Sequence, residues 1–480
     1  MNESRLIGEI GPDGAELRSI RQRLGIDSGC LSRVLQRLYY LTYVRFYRSD
    51  HASTANTRPL ECIFDSRGQR RFVSHPRISG MRSSLFTLLV CGMQMQMLLS
   101  IASAAAAQQP ATISQILAGV MRPDDEVATF AHSDALYPSS QVLRNGPVRQ
   151  LPPAAKQLKN VHFKSGDKDH DLFDYLADDR IAGLLILKDG KVAFEDYELG
   201  ATSATRWASF SMAKSVSSTL VGVELQQRLI QSLDVDASRY VPALRGGAYE
   251  GVSIRNLLQM ASGIKWSETY TDPQSDVSKL GLKLLEQKRG TIVTYMSSLQ
   301  KAGAPGSVWN YSTGETYLIG AVIEGATRKR LASYLSETLW SWLGVEHDAT
   351  WWLESPGGMG LAGSGIGATL RDYGRFGLFV QQGGIVNGQR MLPQGWFREA
   401  GSSHVIGGKS VDYGYLWWPV PHGDPIHQGA FEARGIYGQH LYINPHEKLV
   451  IVVLSARPKP TGATVLDDAA FFAAVARSLD

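Results

Sequence analysis

The stretch "ASFSMAKSVSS", residues 208–218, decides how this chain is read. Within it, Ser211-Met212-Ala213-Lys214 forms a Ser-x-x-Lys pattern, which on a helix sets an amine one turn from a hydroxyl. The pattern alone is cheap, because it recurs at Ser165/Lys168, Ser262/Lys265 and Ser298/Lys301. Context separates the four. Ser165 sits in polar Gly/Asp-rich text, Ser262 runs into Gly263 with no helix behind it, and Ser298 leads into the helix-ending "AGAPG". Only Ser211 opens a long helical pattern, "MAKSVSSTLVGVELQQRLI". A hydroxyl at a helix start lies among free backbone N–H groups, which favour negative charge developing beside it. A lysine buried there loses hydration, its pKa falls, and it becomes a usable base.

The surrounding chain bounds the chemistry. Its 480 residues carry 44% hydrophobic and 20% charged residues and a net charge of +4, an ordinary globular balance that does not argue for nucleic acid or a membrane surface. All three cysteines (Cys30, Cys62 and Cys91) precede residue 92, so the remainder holds no disulfide, thiolate zinc site or catalytic cysteine. The stretch "HFKSGDKDHDLFD" (162–174) gathers His162, His170 and several aspartates, and reads as the solvated start of a helix in preference to a metal site.

Three segments follow from composition. In residues 1–80, "AELRSIRQRLGIDSGCLSRVLQRL" (15–38) reads as two amphipathic helices separated at Gly25. This resembles the helix-turn-helix of winged-helix regulators of the multiple-antibiotic-resistance type. An over-long gene model or fusion relic is the reading preferred for it, so nucleic acid is a partner only if this module is real. Residues 81–107 show Arg82, an apolar run from Leu85 to Ile101 and small residues at 104–107, the layout of a secretory signal peptide. A periplasmic or secreted product is therefore expected. The alternative is an inner-membrane anchor over 84–107, with Arg67, Arg70, Arg71, Arg77 and Arg82 on the inside, joining a sensor-regulator to an external domain. Residues 108–480 read as one α+β unit, with hairpins at 181–198 and 440–455 and a closing helix at 467–479. Strands from both ends are expected to share one antiparallel sheet flanked by helices, with an all-helical insert.

"FSMAKS" together with "VSIRNLLQMASGIKW" (252–266), "SLDVDASRYVPAL" (232–244), "GMGLAGSGIGATLRDYGRFGLFVQQGG" (358–384) and "YGYLWW" (413–418) resembles the serine β-lactamase and penicillin-binding-protein superfamily. The resemblance is nearer to its class C-like branch of 6-aminohexanoate-dimer hydrolases and esterases. It implies a β-lactamase/DD-peptidase-like fold and an acyl-enzyme mechanism on small amides or esters, with no cofactor, no metal and no obligate protein partner.

The family's Tyr-x-Asn element is matched literally at Tyr442-Ile443-Asn444, which should be plain strand; Tyr311-Ser312-Thr313 in "WNYSTGETYLIG" is better placed, before a helix. By resemblance, Tyr311, held partly as phenolate near Lys214, takes the Ser211 proton, and Thr313 replaces the family's substrate-contacting Asn. Lys-Thr-Gly is absent; Ala433-Arg434-Gly435 stands in its place, so Arg434 and Gly435 would face substrate. His427-Gln428-Gly429 is the other alignment. The backbone N–H groups of Ser211 and Ile436 would form the oxyanion hole, and Tyr270 occupies the position of a substrate-contacting tyrosine or packs a loop. Trp351 and Trp352 read as core or cleft wall. The missing Lys-Thr-Gly and the Thr313 exchange rank a β-lactamase or DD-peptidase below an amidase or esterase.

Overall fold

The computed structural model describes residues 112–480 except 421–422 and 463–465, plus the backbone of a short antiparallel pair at Ile63–Phe64 and Arg70–Arg71. The helix-turn-helix reading of 15–38 and the signal-peptide reading of 81–107 lie outside the described residues.

The elements that build and frame the site begin with helix α1 (Ile113–Ala118) and the hairpin β1 (Ile181–Lys188)–β2 (Lys191–Tyr197). The short strand β3 (Trp207–Ala208) then feeds helix α2 (Met212–Gln226), followed by α3 (Asp276–Leu284), α4 (Thr313–Thr327) and α5 (Leu370–Gln381). The C-terminal part supplies β4 (Trp418–Pro419), β5 (Phe431–Gly435), β6 (Gln439–Asn444), β7 (Leu449–Ser455) and α6 (Asp468–Leu479).

One six-stranded antiparallel sheet runs in the order β4-β5-β6-β7-β1-β2, so strands from both ends of the unit meet at the β7–β1 pair, as expected. Asp189 and Gly190 both take positive φ in the tight turn of β1–β2, where an Asp-Gly pair matches the right-handed strand twist. Every residue from Ile181 to Leu187 is buried because both faces of the sheet are covered. The strand period divides them. Leu184, Ile186, Ile451 and Val453 pack with Phe471, Phe472 and Val475 of α6, while Leu185, Leu187, Val450 and Val452 join the larger core that contains α5 and α2.

Residues 162–174 depart from expectation. Instead of a helix start throughout, they form a small hairpin, His162–Ser165 with Lys168–Asp171, and only then a helix, Leu172–Asp178, capped by the Asp171 side chain. The Gly166 turn, at φ +59°, favours the hairpin, which helical periodicity could not show. Among the described residues no cluster of His, Cys, Asp and Glu has metal-holding geometry, and no helix is long and apolar enough to cross a membrane.

Candidate active site

Strand β3 aims the chain at the centre of the molecule, and Phe210 turns it. Ser209 is fixed first, its N–H donating to the Ile366 carbonyl (2.7 Å) and its Oγ accepting from the Ile366 N–H (3.0 Å). Phe210 then adopts φ +43°, a left-handed conformation that costs a non-glycine residue on the order of 1–3 kcal/mol. Its ring is held edge-on by Phe130 at 4.9 Å between centroids, which keeps the turn in place. The turn leaves Ser211 at the N-cap of α2 without any capping bond from its side chain, so the hydroxyl is free for other partners.

Helix α2 is buried nearly all round, and two of its serines bond to the surrounding backbone: Ser215 Oγ donates to the Leu416 carbonyl and Ser217 Oγ to that of Ala362. Lys214 sits in this setting only 2% exposed. Its Nζ donates to Ser211 Oγ (2.9 Å), Thr313 Oγ1 (3.0 Å) and the Gly363 carbonyl (2.9 Å), which uses all three ammonium hydrogens. Burial lowers its pKa to about 8, against the opposing pull of the Glu268 charge.

Tyr311 comes from the turn before α4, whose N-cap Ser312 accepts from the Glu315 N–H. The Lys214 Nζ lies 5.2 Å from the Tyr311 ring centroid, and Tyr311 lines the same cleft as Ser211. Burial, with the Glu268 charge, pushes the phenol's pKa well up, opposed by the neighbouring Ser211 hydroxyl. The resting phenol is therefore neutral, not partly phenolate. This corrects the sequence-based expectation, in which proximity to the amine was taken to outweigh desolvation.

The sequence reading missed Glu268. Its carboxylate accepts from Trp266 Nε1 (2.5 Å), the Tyr270 hydroxyl (2.8 Å), the Thr313 N–H (3.0 Å) and the Thr313 hydroxyl. These four donors fill the lone-pair positions of a carboxylate. Thr313 is thus a link between Glu268 and Lys214: its hydroxyl donates to one and accepts from the other, while the residue lines the cavity beside Ser211. The signal for Glu268 is its neighbourhood, "WSETYTDP", which also holds the substrate-contact candidate Tyr270. Tyr270 itself stands in the cleft wall with its hydroxyl committed to Glu268.

The opposite wall is strand β5. Strand β4 pairs only with Phe431 and Glu432, so Ala433 to Gly435 form an open edge. A Cβ on Gly435 would lie 2.5 Å from the Ser209 carbonyl oxygen, so only glycine permits this approach of strand to nucleophile segment. It brings Ile436 to line the same cavity as Ser211. Among the described residues, neither the Ser211 nor the Ile436 N–H is taken by a backbone carbonyl.

Arg434 is ion-paired to Glu432 (2.5 Å), lies over the Trp418 ring at 5.4 Å, and remains 40% exposed at the mouth of the cleft. The cleft beside Ser211 has a volume of about 330 Å³, the size of small-molecule sites, and is bounded by Tyr270, Tyr311, Trp418, Arg434 and Lys459.

The two competing alignments do not reach this place. His427 is buried against α6, its Nδ1 2.9 Å from the Tyr442 hydroxyl and its Nε2 3.1 Å from the Ala469 carbonyl. Tyr442 and Asn444 lie within strand β6, as expected of plain strand. Ser262 is occupied with Glu315, and Trp351 and Trp352 are core, the latter also touching the space behind Ser211.

The Beta-lactamase family model matches residues 171–475. A 6-aminohexanoate-dimer hydrolase of Paenarthrobacter ureafaciens is 28% identical over 346 residues, 69% of this chain and 85% of that protein. In fold, the chain is similar to a Bacillus anthracis protein provisionally named a 6-aminohexanoate-dimer hydrolase. The TM-score is 0.65 at 23% identity, covering 77% of this chain and 97% of that one. It is also similar to a Bacteroides dorei DSM 17855 protein provisionally named a beta-lactamase (TM-score 0.51, 19% identity, 63% and 96% covered). With the matched segment spanning well over half its length, the chain belongs to the Beta-lactamase family and is a serine hydrolase of that superfamily.

Proposed function

We propose that this hydrolase cleaves small linear amides or esters through an acyl-enzyme on Ser211. The observation that carries the reading is the 2.9 Å contact between the Ser211 hydroxyl and a buried Lys214 whose pKa lies near 8. At neutral pH about a tenth of such an amine is unprotonated. That fraction takes the Ser211 proton as Oγ bonds to the substrate carbonyl carbon. The oxyanion so formed is received by the N–H groups of Ser211 and Ile436, and each donor of this kind is worth about 10²–10³ in rate. Tyr311, neutral and in the same cleft as Ser211, protonates the departing amine or alkoxide as the carbon–heteroatom bond breaks. Lys214 then passes its proton to the Tyr311 phenolate; water attacks the ester, giving one proton to the neutral Lys214, which returns it to Ser211 Oγ as the acyl–oxygen bond breaks and the acid leaves.

The 6-aminohexanoate-dimer hydrolase names of the relatives support linear amides as substrates. Against β-lactams stand the missing Lys-Thr-Gly and a Thr313 whose hydroxyl is committed inside the site. The discriminating experiment is turnover of p-nitrophenyl esters against nitrocefin by the full chain. Ester turnover with at most slow nitrocefin hydrolysis is expected; efficient nitrocefin hydrolysis overturns the ranking. The layout of residues 81–107 supports export with a mature start near Gln108, which sequencing of the natural product's N-terminus tests.

A further inference from the structure

Behind Ser211, on the side away from Arg434, lies a second, narrower space. It runs from Ser211 and Ile436 past Phe210 and Trp352 to α3 and ends on helix α1. Its walls there are apolar: Val277 and Leu280 of α3, and Ile113, Ile116 and Leu117 of α1. The polar groups on its border are neutral, Ser364 and Tyr317 by hydroxyls, and most of the others are engaged. Tyr137 donates to the Gly281 carbonyl, Trp352 Nε1 to the Ser133 carbonyl, and Trp266 and Tyr270 to Glu268. The carboxylate itself has its four lone-pair positions filled.

Helix α1 is built to stay in this position. Its Thr112–Gln115 capping box starts it, the Tyr437 hydroxyl donates to the Ile116 carbonyl (2.5 Å), and Lys459 Nζ donates to the Gly119 carbonyl (2.7 Å). Its contact with α3 is made through Gly281, where a Cβ would come within 3.0 Å of Leu117 Cδ1. Helix α1 also precedes the segment that matches the family model, so the family likeness assigns it no part.

We propose that this space is the acyl pocket, and that it selects a short, unbranched, uncharged aliphatic acyl group. The leaving group then lies in the outer cleft under Arg434. The inference rests on Ser211 being the nucleophile. The pocket's volume of about 70 Å³ corresponds to roughly five water-sized positions at about 15 Å³ each, so a chain of about four to six carbons fills it. An ω-amino acyl group places an ammonium where no carboxylate lines the space and Glu268 is already filled, and burying a charge without a counter-charge there is strongly unfavourable. Among substrates of linear-amide type, this sets the chain apart for neutral acyl groups.

The test is a p-nitrophenyl ester series on the full chain: acetate, butyrate, hexanoate, decanoate and 6-aminohexanoate. From acetate to hexanoate, kcat/KM should rise about threefold to fourfold per methylene, the transfer gain of a buried CH₂. It should fall again at decanoate, and 6-aminohexanoate should trail hexanoate by at least tenfold. Leu117→Ala should move the optimum toward longer chains, and Leu117→Trp should lower the hexanoate-to-acetate ratio. A flat series, or 6-aminohexanoate ahead of hexanoate, overturns the pocket while leaving the hydrolase intact. If no ester is turned over and a fluorophosphonate fails to label Ser211, the nucleophile assignment fails, and the pocket with it. Should the variants not fold, the series on the unaltered protein still decides.

Discussion

Glu268 does not touch Lys214, yet Thr313 joins them: its hydroxyl donates to the Glu268 carboxylate and accepts from Lys214 Nζ at 3.0 Å. The carboxylate charge holds the amine's pKa up while burial holds it down, and the balance leaves it near 8. A base tuned this close to neutrality by two opposed effects should respond to each of them.

The first consequence is a pH profile. The working form of Lys214 is the neutral amine, so protonation below its pKa removes activity. With a neutral ester, log kcat/KM should climb with a slope near one up to about pH 8 and then level. Because the pKa is lowered from its ordinary value, the plateau begins well below the pH at which an exposed lysine would give it.

Glu268→Gln removes the charge that raises Lys214. The ascending limb should shift to lower pH, and plateau kcat should drop about 10- to 100-fold as Thr313 loses its fixed partner. A loss of kcat without movement of the limb would leave Glu268 a merely structural residue.

Tyr311→Phe keeps the ring stacked on Trp418, at 5.6 Å between centroids, and deletes only the hydroxyl. Loss of the acid for the leaving group should lower kcat about 10²–10⁴-fold with KM little changed. A p-nitrophenyl leaving group, stable as an anion, should suffer less than an amide. Equal losses for the two would contradict the role.

Gly435→Ala places a Cβ against the Ser209 backbone, so the strand edge carrying Ile436 must move away from Ser211. A displaced oxyanion donor predicts about a 10²-fold fall in kcat, with substrate affinity largely kept. Steady-state kinetics on the folded variant separate kcat from KM.

Much of this was legible in the sequence because local patterns carry it. The Asp189-Gly190 turn, the alternating strands at 181–198 and 440–455, the helix after Ser211 and the capped helix after Tyr311 are each written within about twenty residues. Choosing Ser211 over Ser165, Ser262 and Ser298 needed only the helix that follows it. What escaped depends on distant partners. Glu268 has meaning only once Thr313, Trp266 and Tyr270 converge on it. The neutral state of Tyr311 depends on burial, which no spacing reports. Helix α1 reads as an ordinary short helix until Gly281 and Leu117 are seen in contact. The hairpin at 162–171 was hidden by a polar composition that suits a helix start equally well.

The most direct measurement is covalent labelling of the full chain with a fluorophosphonate across pH 5 to 9, followed by peptide mapping. One modified residue, Ser211, is expected, with a labelling rate that rises toward pH 8 and collapses in Lys214→Ala. Modification mapped to another serine, or a Ser211 rate indifferent to pH and to Lys214, would contradict the account.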